Sequence, residues 1–229
     1  MTHAHVAAQL DEVRAAVADA CRAAGRDPAE VTLVAVSKGH PPEAIRAAYA
    51  AGQRDFGESY VLELRDKLDA LADLPDLRWH FIGHLQRNKM KLVAGRVGLI
   101  HAIADESGAR ALDAAAAAAS SPQPILLQVN VGADPAKFGC TADALPALVA
   151  TVEGLSHLAL RGLMTIPPLD IDPAPLFGQL AALGRSLPGT CWLSMGMSDD
   201  FPAAIAAGAT HVRIGTAIFG ARETRSWRA

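Results

Sequence analysis

Val31-Thr32-Leu33-Val34-Ala35-Val36-Ser37-Lys38 is a run of strand-forming apolar residues that ends abruptly at a lysine. A buried parallel strand reads as such a near-continuous β-branched run, so the segment predicts a strand in the core of an α/β fold. Lys38 then falls where the strand leaves the core, the edge at which α/β folds keep their chemistry. Desolvation there disfavours the charged amine, and the neutral amine is the form that condenses with an aldehyde. Lys38 is therefore a candidate Schiff-base residue. The plainer alternative is a lysine whose stem covers apolar surface while its head reaches water.

On either side of this strand the chain alternates. Before it, Leu10, Val13, Val17 and Cys21 recur at helical spacing, with Gly25 and Pro28 beyond to stop the helix. After it, Pro41 and Pro42 lead into a helix over Ala44 to Ala51. Arg54 to Gly57 reads as a second strand, and Ser59 is placed to cap a helix from Tyr60 towards Leu71. Six further strands are expected at Arg78 to Ile82, Val97 to Ile103, Ile125 to Val131, Leu158 to Thr165, Thr190 to Ser194 and Thr210 to Ile214. Helices are expected between them, at Gln86 to Ala94, Ser107 to Ala119, through Leu148 after a loop over residues 132–141, near Leu176 to Leu187, and at Ala203 to Ala207. Eight strands alternating with helices in 229 residues favour a closed (β/α)8 barrel with an extra N-terminal helix; the rival is an open doubly wound sheet. No linker is visible, so residues 1–229 are expected to form one domain.

Bulk properties narrow the function. With 51% hydrophobic and 20% charged residues the chain has a normal globular balance, without an apolar run of membrane length. A net charge of −3 provides no basic footprint, which disfavours nucleic acid as the main partner. The start Met1-Thr2-His3-Ala4-His5 lacks the layout of a secretory signal, and the expected location is the cytoplasm. Cys21, Cys140 and Cys191 are distant in sequence and odd in number, which argues against a disulfide framework or a zinc site of paired thiols. His80 and His84 are four apart, but the strand and Gly83 deny them a shared helical face for a metal.

A barrel gathers the residues that follow its strands on one face. That set comprises Lys38, Glu58 and Ser59, His84, Asn130, Thr165, Ser194 through Ser198, and Arg213 with Gly215 and Thr216. The loops after strands seven and eight often hold phosphate, and here they read Ser194-Met195-Gly196-Met197-Ser198 and Gly215-Thr216. Arg213 is either a structural ion-pair partner or a donor to a ring nitrogen that it does not leave protonated. An amine for an aldehyde, a phosphate cup and a donor for a ring nitrogen together describe pyridoxal phosphate.

Ordered motifs carry a family resemblance. They are Val34 to Lys38, Phe56-Gly57-Glu58, Trp79 to Gly83, Gln86 with Asn88-Lys89, Leu160 to Met164, Leu193 to Asp200 and Val212 to Gly220. With these the chain resembles the pyridoxal phosphate homeostasis proteins, single-domain relatives of the alanine racemase barrel. The resemblance implies that Lys38 forms the Schiff base, that Ser194, Gly215 and Thr216, with Met195 and Gly196 of the same loop, hold phosphate, and that Arg213 faces the pyridine nitrogen. Three positions depart from the pattern. Ser59 stands where the family has asparagine, which leaves its cofactor contact open; His84 stands where it has proline; and Ala136-Lys137-Phe138-Gly139 keeps only the lysine and glycine of a Ser-Lys-Ser-Gly loop.

The resemblance further implies a protein that binds, buffers and hands on the cofactor without turnover of its own, acting as a monomer that meets apo-enzymes only transiently. An arginine at the ring nitrogen makes the cofactor a weaker electron sink, although racemases of this barrel type work with one. The rival is a racemase-like enzyme, for which this reading expects neither the second domain nor its acid–base residue. A third reading, an aldolase-type barrel using Lys38 on a sugar phosphate, would leave the protein colourless.

Overall fold

Eight parallel strands close on themselves in the order in which they occur in the chain, β1-β2-β3-β4-β5-β6-β7-β8, so the closed barrel prevails over the open sheet. The computed structural model describes residues 3–168, 171–189 and 191–221. Met1 and Thr2 of the N-terminal reading, Thr190 of the expected seventh strand and residues 222–229 of the expected domain lie outside these. The strands are β1 (Thr32–Val36), β2 (Asp55–Glu58), β3 (Arg78–Phe81), β4 (Leu99–Ile103), β5 (Gln123–Gln128), β6 (Leu158–Met164), β7 (Trp192–Ser194) and β8 (His211–Ile214). The helices are α1 (Ala4–Ala23), α2 (Pro42–Ala50), α3 (Val61–Ala70), α4 (Glu106–Ala116), α5 (Leu145–Glu153), α6 (Ala174–Arg185), α7 (Phe201–Ala206) and α8 (Thr216–Phe219). Among the described residues no helix is long and apolar enough to cross a membrane.

The extra helix α1 has a defined task. Its apolar row Val6, Leu10, Val13, Val17 and Cys21 is buried, and it packs against α2, α7 and α8, covering the seam where β1 pairs with β8. Alternation along each strand sends one set of side chains outward and one inward. Phe56, Phe81, Ile100, Leu127, Val212 and Ile214 face outward and join the helices in the main core. Fully burying side chains of this size stabilises the fold by about 1.5–3 kcal/mol each. Inside the barrel, Leu99, Ala102, Leu126 and Met164 form a separate apolar cluster with Trp192 against it.

Two expected helices differ in the structure. The segment expected as a helix over Gln86 to Ala94 is a 3-10 helix over Arg87–Leu92. Of its six residues only Met90 is buried, so no apolar stripe holds the four-residue spacing of an α-helix in place. Tyr60, not Ser59, occupies the cap position of α3, and it makes no side-chain capping bond. All three cysteines are free thiols, with Cys21 and Cys140 buried and Cys191 half-buried.

Candidate functional site

Lys38 stands two residues beyond the end of β1. Val34 and Val36 point into the barrel, where they would meet a Cβ built on Gly57, and Lys38 is the next residue of the same parity. It is half-buried, in a tight turn closed by the His40 N–H donating to the Ser37 carbonyl at 3.0 Å, and Gly39 takes the left-handed φ of +78° that lets the chain reverse there.

That turn rests on a buried ionic cluster. The Lys67 Nζ donates to the Ser37 carbonyl at 2.8 Å, to Glu58 Oε1 at 2.6 Å and to Glu63 Oε1 at 2.7 Å. Ser37 Oγ donates to Glu58 Oε1 at 2.7 Å, and the Gly39 N–H donates to Glu63 Oε1 at 2.6 Å. The residues on both sides of Lys38 are thus clamped from below. Glu58 Oε2 and Glu63 Oε2 are buried without a protein partner. Burial outweighs the nearby Lys67 and pushes the Glu58 carboxyl up to about 7, with the Glu63 charge adding to the rise.

Arg213 lies inside the barrel, 4% exposed, next to β1 through the pairing of Val34 with Arg213. Its Nη1 donates to Ser194 Oγ at 2.6 Å and its Nη2 to the Thr165 carbonyl at 2.9 Å. Burial lowers its pKa to about 10, against an opposing pull from Asp200, so the guanidinium stays charged at neutral pH. Ser194 Oγ also lies 2.8 Å from His101 Nδ1. The Ser194 hydroxyl, expected from the resemblance to help hold phosphate, is therefore engaged within the barrel by Arg213 and His101, which makes it a support for the arginine.

The glycine loops meet at the same end. Gly196 is buried at φ +93°, and a Cβ there would lie 2.7 Å from the Ala204 Cβ; its carbonyl accepts from the Arg213 N–H at 2.9 Å. A Cβ on Gly215 would lie 3.1 Å from the Val36 carbonyl, so this glycine brings the loop after β8 against the end of β1. Thr216 opens α8 and is exposed. The Met195 side chain turns outward into the main core, which leaves only its backbone on this face. Ser59 is half-buried beyond β2; Gly83 presses against it so closely that a Cβ would fall 2.2 Å from the Ser59 carbonyl oxygen.

Lys38, Ser59, Gly196, Arg213, Gly215 and Thr216 thus come from β1, β2, β7 and β8, which are consecutive around the barrel. Other candidates separate. Asn130 organises its own loop, donating to the Asp134 carbonyl at 2.8 Å and accepting from the Asp134 N–H at 3.2 Å. His80 points into the barrel, whereas His84 is exposed and stacks on Phe138 at 4.4 Å, so the two histidines do not converge. Reading the residues alone missed Glu63, Lys67 and His101. The available signals were the i,i+4 spacing of Glu63 and Lys67 and a histidine inside the apolar strand Leu99–Ile103.

Comparison with known proteins places this geometry. The alanine racemase N-terminal domain family matches residues 8–223. The pyridoxal phosphate homeostasis protein of Pseudomonas aeruginosa is 46% identical over 222 residues, covering 95% of this chain and 96% of its own. The chain belongs to the pyridoxal phosphate homeostasis protein family. Its similarity to the homeostasis protein of Escherichia coli K12 is 43% over 227 residues, covering 95% and 97% of the two chains. PipY of Synechococcus elongatus, solved with pyridoxal phosphate bound, has a TM-score of 0.83 at 38% identity, covering 94% of this chain and all of that one.

Proposed function

We propose that this homeostasis protein holds pyridoxal phosphate reversibly at the mouth of the barrel, with Lys38 as the covalent tether, and releases it to apo-enzymes without turnover of its own. The observation that carries the reading is the half-buried Lys38, clamped by a buried cluster, at the same end of the barrel as the buried Arg213. The donor set suits the group: an amine, a fixed cation, and two loops whose glycines let the backbone pack closely at the strand ends. When bound, the cofactor supplies an aldehyde that condenses with a primary amine and a ring that draws electrons.

Each residue has a stated task. Ser37 and Gly39 hold the Lys38 turn rigid through Glu58, Glu63 and Lys67, which lowers the entropy lost when the amine is engaged. Arg213 presents a permanent cation from the barrel interior, a donor to a ring nitrogen that keeps no proton of its own there, and this favours storage over carbanion chemistry. Gly196, Gly215 and Thr216 offer backbone and hydroxyl donors for the phosphate, and Ser59 flanks the mouth. Under this reading the protein works in the cytoplasm as a monomer.

The test is spectroscopic. Wild type mixed with pyridoxal phosphate should turn yellow and bleach with borohydride, and Lys38→Ala should do neither. An unchanged visible band in Lys38→Ala overturns the tether, and sustained turnover of L-amino acids by wild type overturns the carrier role.

A further inference from the structure

Behind Arg213 a column of buried polar groups runs the length of the barrel. Arg213 Nη1 donates to Ser194 Oγ at 2.6 Å, Ser194 Oγ lies 2.8 Å from His101 Nδ1, His101 Nε2 lies 3.0 Å from His80 Nδ1, and His80 Nε2 lies 3.0 Å from Asp55 Oδ1. Asp55 in turn accepts from Arg78 Nε at 2.8 Å and Nη2 at 2.6 Å. The far end opens on a cavity of about 560 Å³ at the N-terminal mouth, lined among others by Asp55, Arg78, His80, Trp192 and His211.

Donor and acceptor rules give this column a direction. An ionised Asp55 only accepts, so His80 Nε2 donates to it. A neutral His80 then has a bare Nδ1, which requires the proton of His101 on Nε2. A neutral His101 has a bare Nδ1 in consequence, so the Ser194 hydroxyl donates to it and turns its lone pairs to Arg213. A cation at one end and an anion at the other make every bond point the same way. The charges suit this state: burial raises the Asp55 carboxyl, but hydrogen bonds from Arg78 and His80 outweigh it and hold the carboxyl well below its usual range. Burial holds His101 well below the usual histidine range. His211, the third imidazole facing the column, has its Nδ1 on Thr210 Oγ1 at 2.8 Å and stands 6.0 Å from the rings of His80 and His101.

We propose that Asp55, His80 and His101 are positioning residues that set the hydrogen-bond direction of Ser194, and with it the orientation of the Arg213 guanidinium, from the mouth opposite the cofactor site. The proposal rests on the reading that Arg213 faces the cofactor ring. It makes the N-terminal mouth a second control point for cofactor retention, because a change of charge at Asp55 reaches Arg213 through four hydrogen bonds in series.

The imidazole nitrogens report the relay directly. In cofactor-free wild type at pH 8, nitrogen-15 NMR should find His80 and His101 each protonated on Nε2 and bare on Nδ1. Asp55→Leu should scramble both tautomers, shift the visible band of the pyridoxal phosphate-loaded protein and weaken retention by roughly 2- to 30-fold, the range for substitutions along a coupled network. Asp55→Asn keeps an acceptor oxygen and should restore the tautomers. A His101 proton on Nδ1 overturns the relay by itself, a result that needs no variant to fold. Unchanged band and retention in Asp55→Leu overturn the coupling. A wild type that takes up no pyridoxal phosphate overturns the cofactor reading and the service to it, while the tautomers still decide the relay.

Discussion

Two buried polar networks support the mouth of this barrel, and they are built on opposite plans. Outside the sheet, Glu58, Glu63 and Lys67 pack two carboxylates around one ammonium beneath the Lys38 turn. Inside it, Arg213 and Asp55 stand at opposite ends of a column whose middle members are a hydroxyl and two imidazoles. The first network grips a backbone turn, and short ionic bonds from one point suffice for that. The second aims a planar guanidinium, which needs a directional chain. The difference teaches that in this fold Lys38 and Arg213 are held by separate networks, and each can be weakened alone.

The largest expected effect comes from breaking the outer network. Lys67→Met leaves two buried carboxylates facing each other, a change that costs about 3–5 kcal/mol when one partner of a buried ionic group is removed. Urea denaturation should show this loss, and adding Glu58→Gln and Glu63→Gln to the same chain should recover most of it. A Lys67→Met protein as stable as wild type would mean that the cluster is not the clamp described above.

The two networks also answer acid in opposite senses. Burial pushes His211 down to about 3, so between that value and the unfolded histidine range of about 6.5 the unfolded chain binds the extra proton and stability falls as pH falls. Glu58 is raised to about 7, so between the unfolded carboxylate range of about 4.3 and that value the folded chain binds the extra proton and stability falls as pH rises. The outer cluster therefore offsets part of the acid sensitivity of the inner column. Glu58→Gln should steepen the loss of stability between pH 7 and about 4.5 by up to ~1.4 kcal/mol per pH unit. Thermal unfolding across that range measures it, and an unchanged slope would remove the contrast.

The smallest effect belongs to the exposed rim. Phe138 is 60% exposed and stacks on His84, joining two departures from the family pattern in one contact. Because both rings remain in water, Phe138→Ser should alter stability by less than about 0.5 kcal/mol. A larger loss in urea denaturation would show that the rim shares in holding the site.

Much of this was legible without coordinates. The run ending at Lys38, the alternation of strands with helices, and the single glycines after β7 and β8 each reflect local rules, and barrel topology converts their order into a single face. The segment over Gln86 to Ala94, expected as a helix, forms a 3-10 helix over Arg87–Leu92 because only Met90 of those six residues is buried. Ser194 was read by its loop neighbours, whereas its side chain parity sends it inward to Arg213.

By itself the sequence determined the parallel α/β plan, the candidate lysine and the motifs of the family, because periodicity, turn residues and strand ends are properties of short stretches. Only the tertiary structure decided that Lys67 lies under Lys38 and that Asp55 is joined to Arg213. The first pairing spans 29 residues and the second 158, counted from their positions in the chain. Packing of α3 against the ends of β1 and β2 creates the first, and closure of the barrel creates the second, since an inward-facing residue acquires its neighbours only when distant strands come to share one interior.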